Sequence, residues 1–236
     1  MSVMRTLSSL TAVLVAALLA AGCGDDGDSK KTADLDTPVE VRAVTAPEAD
    51  EDLTDDLGSA AKTLGDAGCA FGTYEVGEAE HVDEGEDLDD EHFPPTDGRH
   101  YEDWAPFGIY DEPVEDGFVI HNLEHGGVVV WLGAKVKEAD DVSKLLDDEY
   151  VDADEKWIVA PRRDIDGLFS AAWGKGLSCP PAAVTKLGAE ATAEALDEWY
   201  QTVVSTGSEA EKDVPAYAGA MKEPTPERDV STEAPF

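Results

Sequence analysis

Apolar residues recur at helical spacing over Leu53, Leu57, Ala60, Ala61 and Leu64, and Thr54 ahead of Asp55 and Asp56 is the expected N-cap. Phe71 to Val76 alternates as a half-buried strand does. Three short runs of β-branched and aromatic residues, Phe118 to Ile120, Gly127 to Leu132 and Trp157 to Ala160, predict buried strands. Helical periodicity returns from Ala139 to Leu146 and again from Ala182 to Val204. In the latter, Val184, Leu187, Ala191, Ala195, Leu196, Trp199 and Val203 form one apolar stripe, read as core packing. Helices around a few short strands predict an α+β fold: a single compact domain whose small, mostly antiparallel sheet is packed by helices.

The ends of the chain break this pattern. After Arg5, residues Leu7 to Ala21 are small and apolar, too short a run for an ordinary membrane-spanning helix and in the right place for a secretory signal. The run closes on Leu19-Ala20-Ala21-Gly22-Cys23, which is similar to the bacterial lipobox. The expected organisation is therefore a lipoprotein signal peptide over 1–22, a lipidated acidic tether over 23–52, a globular domain over 53–221 and a Pro-containing tail over 222–236. Two acyl chains on Cys23 would hold the protein stably on the outer side of the bacterial cell membrane.

That address bears on the cysteines. With Cys23 assigned to lipid, Cys69 and Cys179 remain, and a pair in an oxidising compartment is expected to be bridged. The charge balance is strongly acidic, with 53 Asp and Glu against 17 Lys and Arg and a net charge of −36. Such a surface repels polyphosphate, so nucleic acid is not an expected partner. The acids are spread through every segment, which reads as a solvating surface rather than a dedicated cation site.

Candidate chemistry concentrates between His92 and Trp131, which hold four of the five histidines. Pro94 and Pro95 enforce extended backbone, and Gly98 permits a turn just before His100, so this stretch reads as a rigid loop pinned by Trp104, Phe107 and Tyr110. His121 and His125 can approach one another in a helix, in a strand or across a hairpin. Gly126, Gly127 and the three valines that follow favour strand-turn-strand over a helix. His121-Asn122-Leu123-Glu124-His125 also fits H-x-x-E-H, in which two histidines bind Zn²⁺ and the glutamate activates water. That pattern requires a helix and a downstream acid such as Glu194 or Glu198. No nucleophile elbow, P-loop or dinucleotide fingerprint is present.

The leading expectation from these residues is a non-catalytic site for Zn or Cu made by His100, His121 and His125, with His81, His92 and Glu124 as possible additions. The alternative is a cell-envelope interaction module whose histidines are structural, with an unidentified envelope protein as partner. A metal-dependent hydrolase is the third reading.

Several ordered motifs carry a family resemblance: His81-Val82, Pro94-Pro95-Thr96-Asp97-Gly98-Arg99-His100-Tyr101, Trp104-Ala105-Pro106-Phe107-Gly108-Ile109-Tyr110, His121 to Val129, and Ala171-Ala172-Trp173-Gly174. Over about Leu64 to Tyr200 the chain resembles the bacterial domain-of-unknown-function family 3105. The resemblance implies a secreted or membrane-anchored scaffold and no particular chemistry. The acidic stretch from Glu84 to Glu91, and Arg99 in place of a commoner proline, depart from the family's pattern.

Overall fold

A computed structural model describes residues 41–88, 92–152, 155–204 and 206. The signal segment, Cys23, residues 24–40 of the expected tether, residues 207–221 of the expected domain and the tail lie outside the described residues. In chain order the elements are α1 (Glu51–Leu57), α2 (Ser59–Ala67), β1 (Ala70–Thr73), β2 (Glu80–Val82), β3 (Arg99–Tyr101), β4 (Gly108–Ile109), α3 (Asp116–Glu124), β5 (Val128–Gly133), α4 (Ala139–Leu145) with a π-helical extension Leu146–Tyr150, β6 (Trp157–Arg162), β7 (Leu168–Ala172), β8 (Lys175–Cys179) and α5 (Pro181–Val203). No described helix is long and apolar enough to cross a membrane.

Six strands form one sheet in the order β1-β8-β7-β5-β6-β4. The pairs β1/β8, β7/β8 and β5/β7 are antiparallel, whereas β5/β6 and β4/β6 are parallel. The protein is thus α+β with a mostly antiparallel sheet. Successive strand residues point to opposite faces, and β5 shows the consequence. Val128, Val130 and Leu132 pack with α1, α2, α4 and α5, while Val129 and Trp131 pack with α3, Phe93 and Ala105. With both faces covered, all six residues of β5 are buried, which explains the continuous apolar run in the sequence.

The first helical stretch is interrupted. Gly58, at φ +52°, separates α1 from α2, a backbone conformation that glycine adopts without Cβ strain. The N-cap is Asp50, whose carboxylate accepts from Leu53 N at 2.9 Å, while Thr54 lies inside α1 and donates its hydroxyl to Asp50 O. Residues 42–48, which composition places in the tether, run along the domain. Arg42 N donates to Asp164 O, Thr45 N to Phe93 O, and Glu48 pairs with Thr73. Glu48 O sits where a Cβ on Gly72 would be, 1.9 Å away, so glycine at 72 is what admits this close pass.

The Phe118-Val119-Ile120 stretch is helical, in α3, and this corrects the expected strand-turn-strand arrangement. Val119, Ile120, His121, Asn122, Leu123 and Glu124 are all buried. Among the residues of α3 only Asp116 and Phe118 are partly exposed, so no solvent-facing polar stripe marks a helical period in the sequence.

Cys69 and Cys179 form a disulfide, with Cα atoms 4.2 Å apart across a sequence separation of 110. It joins the end of α2 to the end of β8 beside the β1/β8 pair.

Candidate metal centre

Three anchors set the position of α3. Asp116, in its first turn, takes two hydrogen bonds from the buried guanidinium of Arg162, whose Nε also reaches Asp164 at 2.7 Å. Asn122 grips the Ala105 backbone from both sides, its Oδ1 accepting from Ala105 N at 3.0 Å and its Nδ2 donating to Ala105 O at 2.8 Å. At Gly117 a Cβ would stand 2.6 Å from the Tyr101 ring, so glycine there lets α3 lie close against β3. With its rotation fixed, α3 presents His121 and Glu124, three residues apart on one face, toward β3. Gly126, at φ +77°, ends the run.

The second half of the site comes from a small separate sheet. β2 and β3 are parallel and pair His81 with His100 in register, so both imidazoles leave the same face. Their rings lie 4.7 Å apart, edge to face, and each lies 4.9 Å from the His121 ring. One donor atom from each of His81, His100, His121 and Glu124 falls within 4.8 Å of all the others. His100 Nε2 and Glu124 Oε2 are 3.0 Å apart, and His81 Nε2 is 3.9 Å from the same oxygen.

The protons on these rings follow from their partners. His100 Nδ1 lies 2.8 Å from Gly98 O and His121 Nδ1 lies 2.7 Å from Tyr101 O. A carbonyl only accepts, so both Nδ1 atoms carry hydrogen, and in the neutral rings both Nε2 atoms hold lone pairs. Burial, with the neighbouring His125 adding to it, pushes the pKa of His121 down to about 4, against the pull of the Tyr101 carbonyl. His121 is therefore neutral at pH 7. His100 Nε2, fully buried, makes no hydrogen bond among the described residues. His100 Nε2 stands 3.0 Å from Glu124 Oε2 without hydrogen-bond geometry, and a cation placed between them would take both atoms as donors. Nδ1–H to backbone carbonyl is also the usual outer contact that orients a metal-binding imidazole.

Of the expected ligands, His100, His121, His81 and Glu124 are brought together. His125 caps α3 beside them, with its Nε2 3.1 Å from His121 Nε2. His125 thus hydrogen-bonds the atom that a metal would use. His92 stands apart. Its Nδ1 donates to Pro94 O at 2.9 Å and its ring lies 4.4 Å from Tyr74, in a cleft with Glu75 and Asp97. Trp104 closes one side, its ring 5.1 Å from His121 and 4.7 Å from His125. The H-x-x-E-H string runs along α3 to its C-cap at His125, but Glu124 joins the converging donors and His125 does not, and Glu198 accepts from Ser59 Oγ at the start of α2.

The low pKa of His121 has a stability consequence. The unfolded ring takes up a proton below about 6.5 and the folded ring only below about 4, so stability is highest above pH 6.5 and falls as pH drops toward 4. For metal-free protein the difference between wild type and His121→Asn, whose amide still donates to Tyr101 O, should fall by about 3 kcal/mol across that window. Urea titrations at several pH values measure this; parallel curves for the two proteins would show that His121 titrates normally.

The family described as "Protein of unknown function (DUF3105)" matches residues 81–214, a span that contains all four converging residues. No curated protein and no solved structure matches the chain.

Proposed function

The chain belongs to the DUF3105 family, and from that premise we propose that it is a lipid-anchored, non-catalytic domain that binds one Zn²⁺ or Cu²⁺ ion outside the cytoplasmic membrane. The observation that carries this reading is the convergence of His81, His100, His121 and Glu124, with the buried Nε2 of His100 facing Glu124. Imidazole with one carboxylate is a donor set for Zn²⁺ and Cu²⁺, and its lack of thiolate suits an oxidising compartment. When bound, the ion supplies a positive charge shared by these donors. The Cys69–Cys179 disulfide and the signal-like run ending at Cys23 support an extracytoplasmic, lipid-anchored placement.

Equilibrium dialysis of protein purified without a histidine tag tests the proposal. The expected result is one ion per chain with either metal, Cu²⁺ held more tightly than Zn²⁺ in keeping with the general affinity order. Substoichiometric uptake of both metals with an unchanged melting curve would end it. In that event the second reading stands, an envelope interaction module with structural histidines. It is favoured by one observation, that both ring nitrogens of His121 have partners within the protein.

A further inference from the structure

The four donors are not equivalent. His100, His121 and Glu124 are buried, whereas the His81 side chain is 49% exposed. Their supports differ in the same way. His121 and Glu124 stand on α3, which is locked by Arg162 and Ala105, and His100 is held through its Nδ1 by Gly98 O. His81 stands on a three-residue strand whose pairing is to β3 alone, between the irregular stretch 74–79 and the turn 83–88.

His81 and His100 also differ in their distances to Glu124 Oε2. Atoms bound tetrahedrally at about 2.0–2.1 Å from a Zn²⁺ ion stand about 3.3 Å from one another. His100 Nε2 and Glu124 Oε2, at 3.0 Å, are already near that spacing, while His81 Nε2 at 3.9 Å must move inward. Around His81 the exposed residues Glu80, Asp83, Glu84, Glu86 and Asp87 set a negative field, with Arg99 reaching Glu80 and Glu86. Such a field concentrates cations at the mouth of a site and raises their rate of entry.

We infer that His81 is the exchange ligand of this centre. The ion enters and leaves on the His81 side, and an incoming chelating donor takes the coordination position of His81 while His100, His121 and Glu124 still hold the metal. One metal–nitrogen bond breaks as one bond to the incoming donor forms, with no change in oxidation state. This inference rests on the metal-binding reading and deepens it. The domain would then deliver or collect its ion by ligand exchange rather than hold it permanently.

Stopped-flow transfer of Zn²⁺ from the loaded full-length protein to EDTA tests the role, with wild type, His81→Ala and His100→Ala compared. His81→Ala should still load one ion per chain and should release it about tenfold or more faster, since changes at a binding site act mostly on dissociation. His100→Ala should fail to load. Loading by wild type should also slow as ionic strength rises. Two results would overturn the inference: His81→Ala releasing at the wild-type rate, or failing to load as completely as His100→Ala. A wild-type protein that takes up no metal would overturn the proposed function itself, a separate outcome.

Discussion

Replacing Glu124 by glutamine should leave metal-free protein within about 1 kcal/mol of wild type while removing nearly all the stabilisation that Zn²⁺ confers. The first half of this result follows from shape, since glutamine fills the same buried volume as glutamate against His100. A glutamine at 124 keeps that volume and brings an amide donor within reach of His100 Nε2, a buried atom that makes no hydrogen bond among the described residues. The second half follows from mass action. At a free Zn²⁺ concentration about 100-fold above its dissociation constant, wild type gains about 2.7 kcal/mol, equivalent to roughly 5–11 °C in melting temperature for a domain of this size. Losing the anionic donor and gaining a hydrogen at the metal position should weaken binding about 100-fold, at the upper end of what loss of a supporting contact costs. At the same Zn²⁺ concentration the residual gain is then about 0.4 kcal/mol. Calorimetric scans of both proteins with and without Zn²⁺ read this directly. A glutamine variant that melts like wild type in both conditions would mean that Glu124 holds no metal.

Removal of the disulfide should have the larger effect on stability. The Cys69–Cys179 bridge closes a loop with a sequence separation of 110. In the chain-entropy account, opening a loop of that length releases close to 5 kcal/mol of restriction from the unfolded chain. The Cys69→Ala/Cys179→Ala double variant should therefore melt roughly 10–20 °C lower. Its native contacts should persist, because β1 and β8 remain paired from Ala70 to Thr73. A loss below about 1 kcal/mol in urea unfolding would show that the unfolded chain is already held compact without the bridge.

The fold divides into parts that local pattern reveals and parts that it does not. β5, β6 and α4 lie close to where their apolar runs and helical period place them, whereas α5 covers the expected span but is broken at Gly188 (φ +78°), within the apolar stripe. α3 was hidden because all but Asp116 and Phe118 of its residues are buried. Phe118, Val119 and Ile120 have strand-like side chains, and the burial of His121, Asn122 and Glu124 that makes the site also erases the amphipathic signal. The α1–α2 break turned on Gly58, one residue in a conformation that spacing alone does not report.

The site was legible in its residues and not in its arrangement. Histidine clustering drew attention to His100, His121 and His125; the structure brings His100 and His121 together with His81 and Glu124 and sets His125 beside His121. His81 meets His100 through a three-residue parallel pairing, too short and too exposed to leave a periodic trace. The pairing of His121 with Glu124 rather than His125 depends on α3 being a helix whose rotation is set by Asn122 and Ala105. That long-range grip has no sequence signature. His92, nearest the Pro-Pro motif, is turned away by its bond to Pro94 O.

Anomalous diffraction at the zinc edge from Zn²⁺-loaded crystals tests the central claim most directly. The predicted result is a single strong peak about 2.0–2.2 Å from His100 Nε2, His121 Nε2 and a Glu124 carboxylate oxygen, with His81 drawn in as the fourth donor. Zinc found only on surface carboxylates, with the four side chains unmoved and no peak among them, would contradict it.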